Sequence, residues 1–153
     1  AGNAPGWRPT EGDGGQGGRP IHGVRFRAMP RHILPEERIH PAIRAKVEGN
    51  HREIVDEVLA ATAKHRVVVV GMAQNPHPKQ ACKLLRAKGI DFQYLEYGSY
   101  LKDWRRRNAL KMWTGWPTFP MVFVDGTLVG GSSDLEALVK NGELERTLAA
   151  PRR

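Results

Sequence analysis

One cysteine, Cys82, stands among 153 residues, so neither an internal disulfide nor a four-thiolate metal site can be built. No apolar run approaches the roughly 18 residues that a membrane-spanning helix needs. No apolar h-region of a secretory signal is visible either. Six histidines are scattered along the chain at no recognisable ligand spacing, and no metal is expected. Acidic residues are scarce: 16 Asp and Glu against 24 Lys and Arg leave a net charge of +8. Such a balance favours an acidic partner: a protein face, RNA or anionic lipid headgroups. The chain opens on Ala1 rather than Met, which points to a removed targeting peptide and an organellar address, the mitochondrion first.

What is present divides at about residue 50, giving an N-terminal extension (1–50) and a domain (51–150). Residues 1–20 are rich in Gly and Pro and hold too little apolar area to offset the entropy of ordering. Between residues 21 and 35, basic and apolar side chains interleave: Arg25, Phe26, Arg27, Met29, Arg31, Ile33 and Leu34. Too many of these are apolar for a purely solvating linker, so the segment is expected to dock on a partner. His40-Pro41 introduces a short helix over 42–48, ended by Gly49-Asn50.

The domain itself alternates. Ile54, Val55, Val58 and Leu59 recur at helical spacing over 52–64, with Asn50 as the expected N-cap. Val67-Val68-Val69-Val70-Gly71 is a β-branched run, hence a buried strand. A helix over 76–88 stops at Gly89, and residues 90–97 alternate with period two as a second strand. A helix over 100–113 precedes Gly115-Trp116-Pro117-Thr118-Phe119-Pro120. Then come a short strand, Met121-Val122-Phe123-Val124, a tight turn at Asp125-Gly126 and a second strand, Thr127-Leu128-Val129. Gly130 and Gly131, followed by Ser132, Ser133 and Asp134, offer bare amides where a last helix begins, a natural cradle for a carboxylate. That helix runs to about 148, interrupted at Asn141-Gly142. The order β-α-β-α-β-β-α describes a parallel pair joined by a crossover helix, then an antiparallel hairpin.

Trp116-Pro117-Thr118-Phe119-Pro120 followed by Gly130-Gly131-x-x-Asp134 closely resembles the C-terminal half of the glutaredoxin family, and the resemblance extends over residues 53–149. It implies a thioredoxin-like α/β fold, a four-stranded mixed sheet flanked by helices, with a cis Pro120. It also implies a glutathione site built from Thr118, Phe119, Pro120, Gly130, Gly131, Ser133 and Asp134. Active members carry Cys-Pro-Tyr-Cys or Cys-Gly-Phe-Ser after the first strand. Here those four positions are Asn75-Pro76-His77-Pro78. The nucleophile position thus holds Asn75 and the resolving position Pro78, and neither can supply the thiolate that disulfide exchange requires. The helix start is kept, since Asn is a good N-cap and Pro suits the first helical position. His77, without a second ligand nearby, reads as a surface residue. Cys82 lies seven residues past Asn75, roughly 10 Å down the same helix, where the family places an apolar core residue. A buried, inert thiol is expected there.

Monothiol members place a lysine in the loop before the cysteine, whereas Gly71-Met72-Ala73-Gln74 is short and has none. Arg105, Arg106 and Arg107 read as a solvated face, with a contact to the glycine carboxylate of glutathione as the functional alternative. The expected function is therefore a catalytically inactive glutaredoxin-like domain, an accessory subunit of a larger assembly such as a respiratory complex or ribosome. No cofactor is required for that role, with glutathione as the one cofactor the remnant cradle leaves open. The alternatives are a glutathione-binding or iron–sulfur redox sensor, which the loss at Asn75 opposes, and a transferase-like enzyme, for which no helical substrate domain is present.

Overall fold

The computed structural model describes residues 31–152. The chain divides into two compact units, Ala1–Gly49 and Asn50–Arg153. In the first, a 3₁₀ turn at Glu36–Arg38 precedes helix α1, Pro41–Gly49. Pro41 opens the helix, and His40 Nδ1 accepts the Ala42 amide at 3.1 Å. Arg44 folds back to donate to the Ile39 and Glu36 carbonyls. No residue of α1 is buried.

In the second unit, helix α2 (Arg52–Lys64) leads into β1 (Val67–Gly71), α3 (Pro76–Ala87) and β2 (Gln93–Glu96). Next come α4 (Trp104–Thr114), β3 (Met121–Val124), β4 (Thr127–Gly130), α5 (Ser132–Lys140) and α6 (Glu143–Ala149). The sheet order is β2-β1-β3-β4, with β1 parallel to β2 and antiparallel to β3, and β3 antiparallel to β4. This is the thioredoxin-like arrangement that the order of elements implies.

Both faces of β1 are covered, which is why it reads as an unbroken valine run. Val68 and Val70 join Ile54, Val58, Leu110, Met121 and Phe123 on the side of α2 and α4. Val67 and Val69 join Ala81, Leu85, Val122, Leu135 and Leu144 on the side of α3, α5 and α6. Each fully buried valine or leucine here contributes about 1.5–3 kcal/mol. The Asp125-Gly126 turn takes positive φ at both residues, 49° and 78°, which suits the right-handed twist of the β3–β4 hairpin.

Four boundaries differ from the sequence reading. The second strand is four residues long rather than eight, because only Gln93–Glu96 lie in register with Val68–Gly71. The helix expected from residue 100 starts at Trp104, because Ser99 and Lys102 exchange both backbone hydrogen bonds at 3.2 Å and close a tight hairpin first. Asn50 is not the cap of α2; that position belongs to His51, held in the left-handed region at φ 45° with no side-chain cap. The last helix is two, since the Asn141 side chain accepts the Glu143 amide at 2.9 Å and starts α6 afresh. No helix among the described residues is long and apolar enough to cross a membrane.

Candidate functional site

The candidate site is where the β1–α3 turn meets the loop ahead of β3. Asn75 is the N-cap of α3: its Oδ1 accepts the His77 amide at 3.0 Å, and Pro76 follows as the first helical residue. Its Nδ2 donates to the Phe119 carbonyl at 3.4 Å. The Phe119–Pro120 peptide bond is cis, as the resemblance implies. The Asn75 side chain therefore ties the helix start to the proline loop. Pro78 is buried beneath the turn against β1, a packing role. His77 is exposed at the first turn of α3. Among the described residues, no group of three His, Cys, Asp or Glu could hold a metal ion.

Across the loop, Phe119 and Pro120 are buried and Thr118 is exposed. Lys111 of α4 lies over the Phe119 ring at 5.7 Å. Thr114 Oγ1 accepts the Trp116 amide at 3.1 Å and fixes the entry of the chain into the loop. Gly130 and Gly131 are buried, and Gly131 caps α5, its amide donating to Asp134 Oδ2 at 3.0 Å. One amide of the expected cradle is thus already taken by the chain's own carboxylate. Ser133 is exposed on the first turn of α5. A Cβ at Gly131 would lie 3.6 Å from the Pro120 carbonyl oxygen and 3.7 Å from Trp116 Cζ2, filling the cradle. Trp116 Nε1 beside it is buried without an acceptor.

These features fit glutathione at the level of backbone and shape. An iron–sulfur cluster does not fit, because the donor set at the helix start is a carboxamide and a proline rather than thiolates. Cys82 does not compensate. It is 4% exposed and packs with Val67, Val69 and Leu85. Burial pushes its thiol above the ordinary range, away from the thiolate.

The arginine triplet is not a solvated face, and this is the main correction to the candidate residues. Arg107 is 6% exposed, and its Nη1 donates to the Tyr97 carbonyl at 3.0 Å and the Lys102 carbonyl at 2.5 Å. Arg106 turns to α2, pairing with Glu53 and Glu57, and lies over the Tyr97 ring. Only Arg105 is exposed, against the Trp104 ring. Arg106 and Arg107 are therefore engaged elsewhere and do not reach for a carboxylate ligand. Of the proposed docking arm, Arg31, Ile33 and Leu34 are exposed in the first unit. Arg25, Phe26, Arg27 and Met29 lie outside the described residues.

A four-stranded mixed sheet with a cis proline facing a helix start defines a thioredoxin-like protein. A glutaredoxin family model matches residues 67–129. A glutaredoxin-like protein of Dictyostelium discoideum is 47% identical over 98 residues, which cover 64% of this chain and 80% of that one. The bifunctional monothiol glutaredoxin-S16, chloroplastic, of Arabidopsis thaliana is 30% identical over 109 residues, covering 65% of this chain but 37% of its own length. The structure of oxidized glutaredoxin 2 from Chlamydomonas reinhardtii superposes with a TM-score of 0.57, at 27% identity, over 65% of this chain and 94% of that one. The chain belongs to the glutaredoxin family.

Proposed function

We propose that this protein is a non-catalytic member of its family, an accessory subunit of a larger organellar assembly such as a respiratory complex or a ribosome. One observation carries the non-catalytic part: Asn75 caps α3 and reaches the Phe119 carbonyl, while the sole thiol is buried in the core. Attack on a disulfide needs an accessible thiolate, and Cys82 offers neither access nor acidity. The accessory role is supported by the net charge of +8 and by the exposed Ile33 and Leu34 next to Arg31. The partner in this reading is a protein subunit docked by the arm, with RNA or anionic lipid headgroups as the competing occupants. The organellar part of the address draws support from a chloroplastic relative, while the mitochondrion is this reading's own choice among organelles.

Restoring the missing group tests the reading. The native chain should not turn over a mixed glutathione disulfide. Asn75→Cys should gain measurable exchange, because the helix start and the proline loop are in place to hold and activate a thiolate. Turnover by the native chain at the rate of an active glutaredoxin would overturn the proposal.

A second reading, a glutathione-binding redox sensor, rests on the cradle itself: the space beside Gly131, which a side chain would fill, and the unpartnered Trp116 Nε1. Titration of the native chain with glutathione by calorimetry separates the two. Binding that is lost in Gly131→Val would favour the sensor.

A further inference from the structure

Between β2 and α4 the chain makes an unusual display. Ser99 and Lys102 pair backbone to backbone, leaving Tyr100 and Leu101 alone at the tip. Tyr100 is 60% exposed and Leu101 92%. The display is held rigidly from below. The buried Arg107 guanidinium donates to the carbonyls on both sides of the tip, Tyr97 and Lys102. Gly98 takes a positive φ of 62°, and a side chain there would run into the Lys102 carbonyl. The Gly98 carbonyl in turn accepts the Ala73 amide at 2.8 Å, fixing the hairpin to the β1–α3 turn. Burying a guanidinium is costly unless it is well bonded, and here its bonds serve the hairpin. Two more exposed apolar side chains stand on α4. Trp104 (50% exposed) and Met112 (70%) are eight residues apart, on one face of the helix and about 12 Å along it.

Charge defines what this surface fits. Arg106, on the neighbouring face, is matched by Glu53, Glu57 and Asp103. Lys102 and Arg105, which border the tip and Trp104, have no carboxylate partner among the described residues. Tyr, Trp, Met and Arg are also the side chains enriched where proteins meet. We propose that the Tyr100-Leu101 tip and the Trp104–Met112 face of α4 dock an acidic protein partner, one presenting an apolar groove bordered by carboxylates. Single-stranded RNA fits less well: Arg105 already covers a face of Trp104 at 5.0 Å, and Leu101 and Met112 offer no surface for base stacking. A second copy of this chain would bring Lys102 and Arg105 against their like, on a chain already at +8. A preorganised tip lowers the ordering cost of binding, which is what its rigidity provides. The surface belongs to the folded domain rather than to the N-terminal arm, and the inference does not depend on the loss of catalysis.

The test uses the full chain and three probes. The first is a synthetic amphipathic helical peptide with leucine on one face and glutamate elsewhere. The second is the same peptide with lysine in place of glutamate, and the third is a uridine oligonucleotide. The glutamate peptide should bind, and the lysine peptide should bind at least about tenfold more weakly. Leu101→Asp and Met112→Asp should each weaken the glutamate peptide by about tenfold without changing the thermal midpoint, since both side chains are exposed. Arg105→Glu should weaken the glutamate peptide and strengthen the lysine peptide. Equal affinity for the two peptides, unchanged affinity in the variants, or no binding would overturn the proposal. So would oligonucleotide binding that disappears with Leu101→Asp. None of these outcomes bears on disulfide turnover, so a failure here leaves the non-catalytic reading standing.

Discussion

Gly71, the last residue of β1, has no room for a methyl group. A Cβ there would stand 2.7 Å from Pro78 Cβ and 2.9 Å from both Pro78 Cγ and Tyr94 Cε2. Pro78 is buried and cannot rotate away, so the strand and the start of α3 would have to part. Gly71→Ala should therefore cost about 1–3 kcal/mol, read as a lower urea midpoint at constant m-value. The position that the family gives to a resolving residue is here part of a strand–helix contact. Asp125 offers a different residue-scale test. Its carboxylate accepts two hydrogen bonds from the Arg66 guanidinium, both 2.9 Å, and these hold its carboxyl below the usual value of 3.8, assisted by the charges of Arg66 and Arg152. A carboxyl depressed on folding stabilises the native state above its unfolded pKa and loses that contribution as pH falls through the folded one. Asp125→Asn should thus be less stable than the native chain at neutral pH, with the gap closing as the pH falls below about 4. Thermal midpoints measured across that range check the sign.

At the scale of elements, the hairpin ahead of α4 depends on one buried side chain. Arg107→Met keeps the length and apolar stem but removes the bonds to the Tyr97 and Lys102 carbonyls. Leaving buried acceptors unpaired should cost about 1–3 kcal/mol. Amide exchange at Ser99 and Lys102 should speed up more than at the β1 core, where Val68 and Val69 are fully buried. This element was also the least legible in the sequence. Three successive helical positions span about 200° of the helix, which leaves room for a buried stripe that avoids all three, so the triplet reads as a solvated face. Nothing in the local pattern says that Arg107 turns inward, because the carbonyls that receive it belong to a loop whose path is tertiary. His51 was equally illegible: it occupies the cap position of α2 in the left-handed region with no side-chain cap bond, which no local capping rule anticipates. By contrast β1, the Asp125-Gly126 turn and the Asn75 cap were legible, because each rests on local chemistry: β-branching, turn geometry and a carboxamide acceptor; the burial of Cys82 came with the family position. The proline loop was legible for another reason. Its residues match a family motif, and the cis bond at Pro120 came with that match rather than from any periodicity.

The whole molecule keeps its buried core in one unit but carries positive charge in both. Every side chain described as buried lies in the unit Asn50–Arg153, and α1 has none. Residues 1–34, in turn, carry five arginines, Arg8, Arg19, Arg25, Arg27 and Arg31, against only Glu11 and Asp13. Deleting residues 1–34 should therefore shift the thermal midpoint by less than about 2 °C, a few tenths of a kcal/mol for a domain of this size. Association is where the deletion should act. If the accessory reading holds, the truncated chain stays folded but fails to join its assembly, since Phe26, Met29, Ile33 and Leu34 supply apolar anchors and the arginines charge-assisted bonds. Salt then distinguishes the partner. An arm bound to RNA releases counterions, so its affinity falls by about 0.9 logarithmic units per logarithmic unit of salt for each phosphate contacted on a duplex, and by somewhat less on a single strand. An arm seated on a protein through its apolar residues responds far less, because only its exposed charges are screened. Normal assembly of the truncated chain would remove the arm from the account and leave the α4 surface as the point of attachment. Leu101→Asp in the truncated chain would then have to abolish what the deletion alone had spared.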